Sequence, residues 1–207
     1  MRIPPVAFLL GLALPAAGLA QAQWVPPDPK VACASAADRA LCAELLAVRD
    51  RDQAVRYREL DEGATPAVVQ ETSRVDRENL ARVEAIVAAR GWPGRSLVGD
   101  DASGAAWTVI QHADLAVQKK YVAMMAAAAD AGELDRALLA TTIDRVAVGD
   151  GKPQTYGTQF REVGGRLVPF PIVDEARVDE RRKKVGLGPL AEYAETMRRV
   201  YAAPAKP

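Results

Sequence analysis

Apolar residues recur at helical spacing along most of this chain and alternate at strand spacing in one short stretch. Residues 36–61 form the first long helical pattern, with leucine and valine set among dense charges, and Gly63 ends it. Thr65-Pro66 then supplies an N-cap and a proline at the first helical position, so a second helix is predicted to run to about residue 90. Gly91-Trp92-Pro93-Gly94 stops that helix. Residues 95–101 are predicted to be a loop, with Asp101 or Ser103 capping the next helix.

The helix predicted over residues 106–125 has polar side chains on its apolar face. At 100° per residue, Gln111, Asp114 and Gln118 fall on the same stripe as Trp107 and Met125. A buried polar group without a partner costs about 1–3 kcal/mol, so these groups must be hydrogen-bonded. They form either a structural network, which could pin the hairpin described next, or a binding site. The sequence leaves open whether the helix is interrupted near His112.

The last third of the chain contains the strand-like stretch. Residues 134–148 predict a buried helix that is apolar nearly all round. Residues 154–162 and 166–172 have strand character and are joined through Gly164-Gly165, which is typical of a hairpin. A short charged helix over 178–185 and a last helix to about Tyr201 follow. The predicted fold is mainly α, a single helical domain over residues 35–202 with a small accessory antiparallel β-hairpin at about 154–172, and 203–207 form a tail.

The charge balance disfavours a nucleic-acid partner. The chain has 27 basic and 27 acidic side chains, and only 5% of its residues are aromatic. Nucleic-acid affinity depends on neutralising phosphates and, for single strands, on aromatic stacking. The expected partner is instead a small polar or anionic ligand.

The first residues have the pattern of a secretory signal. Arg2 precedes an apolar run over residues 6–19, and Ala20-Gln21-Ala22 is a small-x-small cleavage site. The predicted parts are therefore a signal peptide at 1–22 and a proline-rich leader at 23–34, with a periplasmic or extracellular location. No later segment approaches 18 apolar residues, so no stable membrane insertion is expected after cleavage.

In an oxidising compartment, Cys33 and Cys42 are expected to form a disulfide, with two unpaired thiols as the alternative. On one continuous helix their Cα atoms would lie about 13.5 Å apart, whereas a disulfide needs about 7 Å or less. The helix must therefore begin between them, with Ser35 or Asp38 as its cap.

His112 is the only histidine in the chain and the natural candidate for a general base. On an unbroken helix it points away from the Gln111/Asp114/Gln118 stripe, so it forms no ready-made dyad with Asp114. A structural or surface histidine is the alternative. His112 and Asp114 are the candidate catalytic residues.

Three further groups could bind a ligand. Arg145 lies in the most apolar helix and is expected to point inward, where it needs a carboxylate such as Asp114 or Asp144, or an anionic ligand. Strand alternation places Gln154, Tyr156 and Thr158 on one face and Gln159 on the other, and an ordinary polar hairpin is the alternative. Residues 177–184 are expected to be a solvated helix face. The candidate substrate-binding residues are Gln111, Gln118, Arg145, Gln154, Tyr156 and Gln159.

Several familiar kinds of site are missing from the sequence. It has no Gly-x-Ser-x-Gly elbow and no P-loop, and one histidine without a cysteine cluster disfavours zinc. A Mg²⁺ or Ca²⁺ site using Asp52, Asp76 or Asp114 is left open. The sequence identifies no cofactor.

Several short motifs in combination resemble a bacterial family known only as a domain of unknown function. The resemblance covers roughly residues 41–199 and implies no activity. Because its polar signature residues lie on separate segments, it favours a shared pocket over core packing. The motifs are Asp52-Gln53, Asp76-x-x-Asn79, Gly91-Trp92-Pro93, Val98-Gly99, Trp107-x-x-x-Gln111-His112-Ala113-Asp114, Asp144-Arg145, Gln154-x-Tyr156-Gly157-Thr158-Gln159 and Val178-Asp179-x-Arg181-Arg182-x-x-Val185-Gly186-Leu187.

Two functions agree with this sequence. The first is an exported hydrolase with a polar pocket between the central helix, the Asp144-Arg145 helix and the hairpin. The second is a non-catalytic periplasmic domain that binds a ligand or a partner with the same residues.

Overall fold

The computed structural model describes residue 26 and residues 28–201. This part of the chain divides into two compact units, residues 28–139 and residues 140–201, which are described separately. The predicted signal peptide and the predicted tail at 203–207 lie outside the described residues. The prediction of one domain over residues 35–202 stays a prediction.

The unit at residues 28–139 is helical. Its two longest helices, α2 and α3, pack against each other and against α5. Fully buried aliphatic side chains such as Leu45, Val83 and Ile110 fill the space between these helices, and each contributes about 1.5–3 kcal/mol by leaving water. The helices are α1 (Pro29–Ala32), α2 (Arg39–Glu62), α3 (Pro66–Arg90), α4 (Arg95–Val98), α5 (Asp100–His112), α6 (Leu115–Asp130) and the start of α7 (Arg136–Gly149).

The disulfide predicted between Cys33 and Cys42 is confirmed. Their Cα atoms lie 5.8 Å apart, and both side chains belong to the core. Helix α2 begins between the two cysteines, as the geometry requires. Asp38 is its N-cap and accepts a hydrogen bond from the Leu41 N–H at 3.0 Å.

The α3 boundaries agree with the local signals, whereas the next segment does not. Thr65 caps α3, and Gly91 follows its last residue with φ 74°, a conformation that suits glycine. The predicted loop at 95–101 is wrong, because α4 forms there and Gly99 is the N-cap of α5. The reason is non-local: Glu133 accepts from the Ser96 N–H through its carboxylate at 2.8 Å, and from the Arg95 N–H through its carbonyl at 3.0 Å.

The central helix is broken directly after His112. Ala113 is extended, with ψ 172°, and Asp114 is the N-cap of α6, where its carboxylate accepts from the Val117 N–H at 2.9 Å. Gln118 then donates to the carbonyls of Gln111, at 3.1 Å, and Ala113, at 2.8 Å. The break therefore stabilises itself, since Asp114 satisfies a free N–H of α6 and Gln118 satisfies carbonyls at the end of α5.

The unit at residues 140–201 carries the hairpin. The strands are antiparallel and pair Phe160 with Pro169 and Val163 with Arg166. Phe160, Ala194 and Met197 form a small core where α9 meets the strands. After the remainder of α7, the elements are β1 (Phe160–Val163), β2 (Arg166–Pro169), a 3-10 helix (Glu175–Arg177), α8 (Val178–Lys184) and α9 (Leu190–Tyr201).

The predicted fold class is confirmed, and the hairpin is shorter than expected. A mainly α chain with a two-stranded antiparallel sheet is what the described residues show. Residues 154–159 lie outside the strands, so the predicted alternation of Gln154, Tyr156 and Thr158 on one face is wrong. Within residues 28–201 we find no helix with the length and apolar character that a membrane span requires.

Candidate functional site

His112 faces a buried aspartate on another helix. Its Nδ1 lies 2.8 Å from Oδ1 of Asp52, which is on α2. The Asp52 side chain is 1% exposed and the His112 side chain 7%. Because a carboxylate only accepts, Nδ1 carries the proton and Nε2 is the nitrogen that would act as a base.

His112 reaches Asp52 because it continues a buried face of α5. Ala102, Ala105 and Val109 are buried and precede it at helical spacing, and α5 packs against α2. His112 is therefore buried against α2, a contact that the Gln111/Asp114/Gln118 stripe did not predict. Its carboxylate partner is Asp52 rather than Asp114.

Asp52 is held by two further side chains. Gln53 Nε2 donates to Asp52 Oδ2 at 2.8 Å. Arg56 Nη1 lies 3.0 Å from Asp52 Oδ1 and 3.0 Å from the Asp52 carbonyl oxygen, one turn earlier on α2. His112 and Arg56 thus share one carboxylate oxygen, while Gln53 occupies the other.

Helix α3 completes the arrangement with two polar residues one turn apart. Arg56 Nη2 bonds Asp76 Oδ1 at 2.9 Å, and the Asp76 side chain is 32% exposed. Asn79, which is 1% exposed, donates to the Val48 carbonyl at 3.2 Å and accepts from Arg51 Nη2 at 3.3 Å. We call these residues the polar cluster: Asp52, Gln53, Arg56, Asp76, Asn79 and His112.

The polar cluster has the groups needed for proton transfer. A histidine oriented through Nδ1 by a buried carboxylate is the arrangement that general bases use. A cation site is not what the geometry favours, because Arg56 bridges Asp52 and Asp76. Among the described residues, no group of three or more His, Cys, Asp or Glu side chains could hold a metal ion.

The other residues expected on the central stripe have different positions. Gln111 and Gln118 are buried, as predicted, and Gln118 caps the end of α5. The expected burial of Asp114 is wrong, since it is exposed at the start of α6. Asp114 leaves the buried stripe because the helix breaks after His112 and Asp114 becomes the N-cap of α6.

In the other unit, Asp144 organises the loop at residues 154–159. Its Oδ1 accepts from the N–H groups of Thr155, at 2.7 Å, and Tyr156, at 2.9 Å. Its Oδ2 accepts from the N–H and the hydroxyl of Thr158, both at 2.9 Å. Burial raises the pKa of Asp144, while these backbone donors act in the opposite direction.

The two glutamines of this loop also have internal partners. Gln154 is fully buried, donates to the carbonyls of Gln159 and Phe170, and accepts from the Gln159 N–H. Gln159 accepts from Arg145 Nε at 3.4 Å. Arg145 is 5% exposed, as predicted, and burial lowers its pKa to about 10.

Tyr156 takes part mainly through its backbone. Its N–H binds Asp144, and its carbonyl accepts from Arg182 Nη1 at 2.7 Å. The expected solvated face at 177–184 is wrong for Arg182, which is 1% exposed and also donates to the Gly188 carbonyl at 2.6 Å. In this unit the polar residues hold the loop in place.

The predicted site residues therefore lie in two groups. Gln111, His112, Asp114 and Gln118 belong to the unit at 28–139, and Arg145, Gln154, Tyr156 and Gln159 belong to the unit at 140–201. Their joint pocket stays a prediction. Sequence reasoning named Asp52 and Asp76 only as possible cation ligands, and Asp52-Gln53 and Asp76-x-x-Asn79 as motifs, while Arg56 was not singled out. The signal in the sequence that could have predicted the burial of His112 is the apolar face of α5 that ends at this residue.

Comparison with known proteins supports the resemblance at the level of family. No curated protein and no solved structure matches the chain. One family model matches residues 39–206, which is most of the chain, and its description gives no activity. The chain belongs to the family of unknown function DUF6624.

Proposed function

We propose that this protein is an exported hydrolase in which His112, oriented by Asp52, acts as the general base on a small polar substrate. The observation that carries the proposal is the 2.8 Å contact between His112 Nδ1 and Asp52 Oδ1. In the proposed reaction, Nε2 removes a proton from water as the water oxygen attacks the substrate. The same proton is then delivered to the leaving group.

The choice of base follows from the local geometry. Asp114 is engaged as a helix cap and is exposed, so it has neither a fixed partner histidine nor a desolvated setting. His112 has a buried carboxylate behind it, and imidazole is the side chain that most often serves as a general base. The proposal does not require the joint pocket between the two groups of predicted residues.

Export is part of the proposal for two reasons. The first 22 residues have the charged, apolar and small-residue pattern of a signal peptide. The disulfide between Cys33 and Cys42 is of the kind that persists in oxidising compartments.

A non-catalytic ligand-binding domain is the second candidate. The low exposure of the His112–Asp52 pair favours it over catalysis, since the side chains are only 7% and 1% exposed. In that case the cluster would bind a ligand or stabilise the fold, and no turnover would depend on His112.

The test has a chemical and a kinetic arm. Diethyl pyrocarbonate acylates unprotonated imidazole, and the ultraviolet absorbance of the acylated ring reports on the single histidine of the chain. We expect His112 to react in the folded protein. A His112 that resists the reagent until the protein is unfolded would refute the proposal.

The kinetic arm uses nitrophenyl esters, phosphodiesters and glycosides as a substrate panel. We expect His112→Gln to lower kcat by about 10²–10⁴-fold on any substrate that is turned over, which is the usual contribution of a general base. Asp114→Asn is the matched control and should keep wild-type turnover. Equal activity of His112→Gln and wild type would favour the second candidate.

A further inference from the structure

We infer that Arg56 is a positioning residue for the His112–Asp52 pair and not a residue that binds an anionic ligand. This inference rests on the proposed function, because it concerns the same base. It assigns a role to a residue that the sequence did not single out.

Arg56 contacts Asp52 at two points, one on its side chain and one on its backbone. One nitrogen, Nη1, lies 3.0 Å from Asp52 Oδ1 and 3.0 Å from the carbonyl oxygen of the same residue. These contacts join the carboxylate to its own backbone through a single donor group. Together with Gln53 on Oδ2, at 2.8 Å, they set the rotation of the carboxylate that His112 faces.

Burial makes this support necessary. The Asp52 side chain is 1% exposed, and a buried carboxylate without a charge partner is costly. A neutral imidazole provides one N–H and no charge. Arg56 provides a charge partner at the same oxygen, so the position of the carboxylate does not depend on the imidazole alone.

The far end of Arg56 is also fixed. Nη2 bonds Asp76 Oδ1 at 2.9 Å, and the Arg56 side chain is only 13% exposed. Both terminal nitrogens of the guanidinium therefore face carboxylates. Because both ends of the guanidinium are engaged with carboxylates and the side chain is mostly buried, we assign Arg56 to positioning.

The readout is the tautomer of the single imidazole, measured by nitrogen-15 NMR on the full mature chain without a histidine tag. In wild type we expect the Nδ1–H form, because Nδ1 faces the Asp52 carboxylate. Arg56→Met should move the tautomer ratio toward that of free imidazole, and Arg56→Lys should restore it in part, since one ammonium cannot bridge both carboxylates. Arg58→Met is the matched control on the same helix, where Arg58 pairs with the exposed Glu62 and Glu71, and it should leave the ratio unchanged.

Conservative variants and a chemical rescue provide two further tests. If Arg56→Met does not fold, as judged by circular dichroism, Arg56→Lys and Asp76→Asn carry the same test. Millimolar guanidinium added to a folded Arg56→Ala should return the tautomer ratio toward wild type. An unchanged ratio in a folded Arg56→Met would overturn the inference.

Inorganic phosphate tests the competing role. We expect millimolar phosphate to leave the His112 resonances of wild type unshifted. If phosphate shifts the His112 resonances and Arg56→Lys abolishes that shift, Arg56 binds anions and the inference is overturned. These outcomes are separate from the His112→Gln kinetics, so the base and its positioning residue can fail independently.

Discussion

Replacing Asp144 with asparagine tests whether a buried carboxylate organises the loop at residues 154–159. The carboxylate receives the N–H groups of Thr155 and Tyr156 on Oδ1 and the N–H and hydroxyl of Thr158 on Oδ2, and the Tyr156 N–H makes a second, longer contact with Oδ2 at 3.1 Å. Asparagine keeps the shape but replaces one accepting oxygen with an NH₂ group that only donates. The substitution therefore changes hydrogen bonding while leaving the side-chain volume almost the same.

The expected cost follows from the best orientation of the new amide. Its nitrogen is best tolerated in place of Oδ2, because the Thr158 hydroxyl can rotate and accept from it. The Thr158 N–H is then left facing a donor, which costs about 1–3 kcal/mol. The remaining bonds lose the assistance of the charge, worth about 1 kcal/mol more, so we expect a total of about 2–4 kcal/mol.

Amide hydrogen exchange measures this locally. The N–H groups of Thr155, Tyr156 and Thr158 should exchange roughly 30- to 900-fold faster in Asp144→Asn, which is the same free energy expressed as a ratio. Thr158→Ser keeps every donor and should stay close to wild type. Thr158→Val removes the hydroxyl, which donates to Asp144 and accepts from Gln159 Nε2, and should fall between the two.

One outcome would refute this reasoning. If the three amides of Asp144→Asn exchange at the wild-type rate, the carboxylate is not what holds the loop. The polar residues of this segment would then be available for a ligand, as the sequence-based pocket requires.

Three other predictions concern the fold. Gly157→Ala should lower the free energy of unfolding in urea by about 2–4 kcal/mol, because φ is +72° and the new Cβ would lie 2.8 Å from Leu190 Cδ1. Gly165→Ala, with φ +73° and open space, should show the backbone strain alone. Equal losses in the two variants would contradict the packing argument. The Ser96 N–H lowers the pKa of Glu133 from 4.5, so the stabilisation by its carboxylate is present above pH 4.5 and is lost as the pH falls through the folded pKa. The urea midpoints of wild type and Glu133→Gln should therefore differ near neutrality and converge in acid. A difference that stays constant with pH would contradict this. Reducing the Cys33–Cys42 disulfide, whose residues are nine positions apart, should lower the free energy of unfolding by about 2–3 kcal/mol. The control is a Cys33→Ser/Cys42→Ser variant, whose free energy of unfolding must not change with reductant.

The sequence by itself determined the features that depend on neighbouring residues. Thr65-Pro66 starts α3 and Gly91 ends it, because caps act within one turn. The spacing of Cys33 and Cys42 required a helix start between them, and Asp38 provides it. Mainly helical periodicity with one hairpin was sufficient for the fold class.

Local signals failed where a distant residue supplies the partner. Helix α4 forms because Glu133, 37 residues away from Ser96, binds the N–H that the local sequence leaves without a cap. The break after His112 was within reach of the sequence, since Asp114 is a good N-cap, yet apolar periodicity over 106–125 favoured one helix.

The carboxylate partner of His112 was decided by tertiary structure alone. His112 and Asp52 are 60 residues apart, and Arg56 and Asp76 are 20 apart, so no spacing rule connects them. They meet because α2, α3 and α5 bury their apolar faces against one another, and the polar residues on those faces must then find partners. Periodicity can state that a polar side chain is buried, but only the packing of the helices decides which charge it meets.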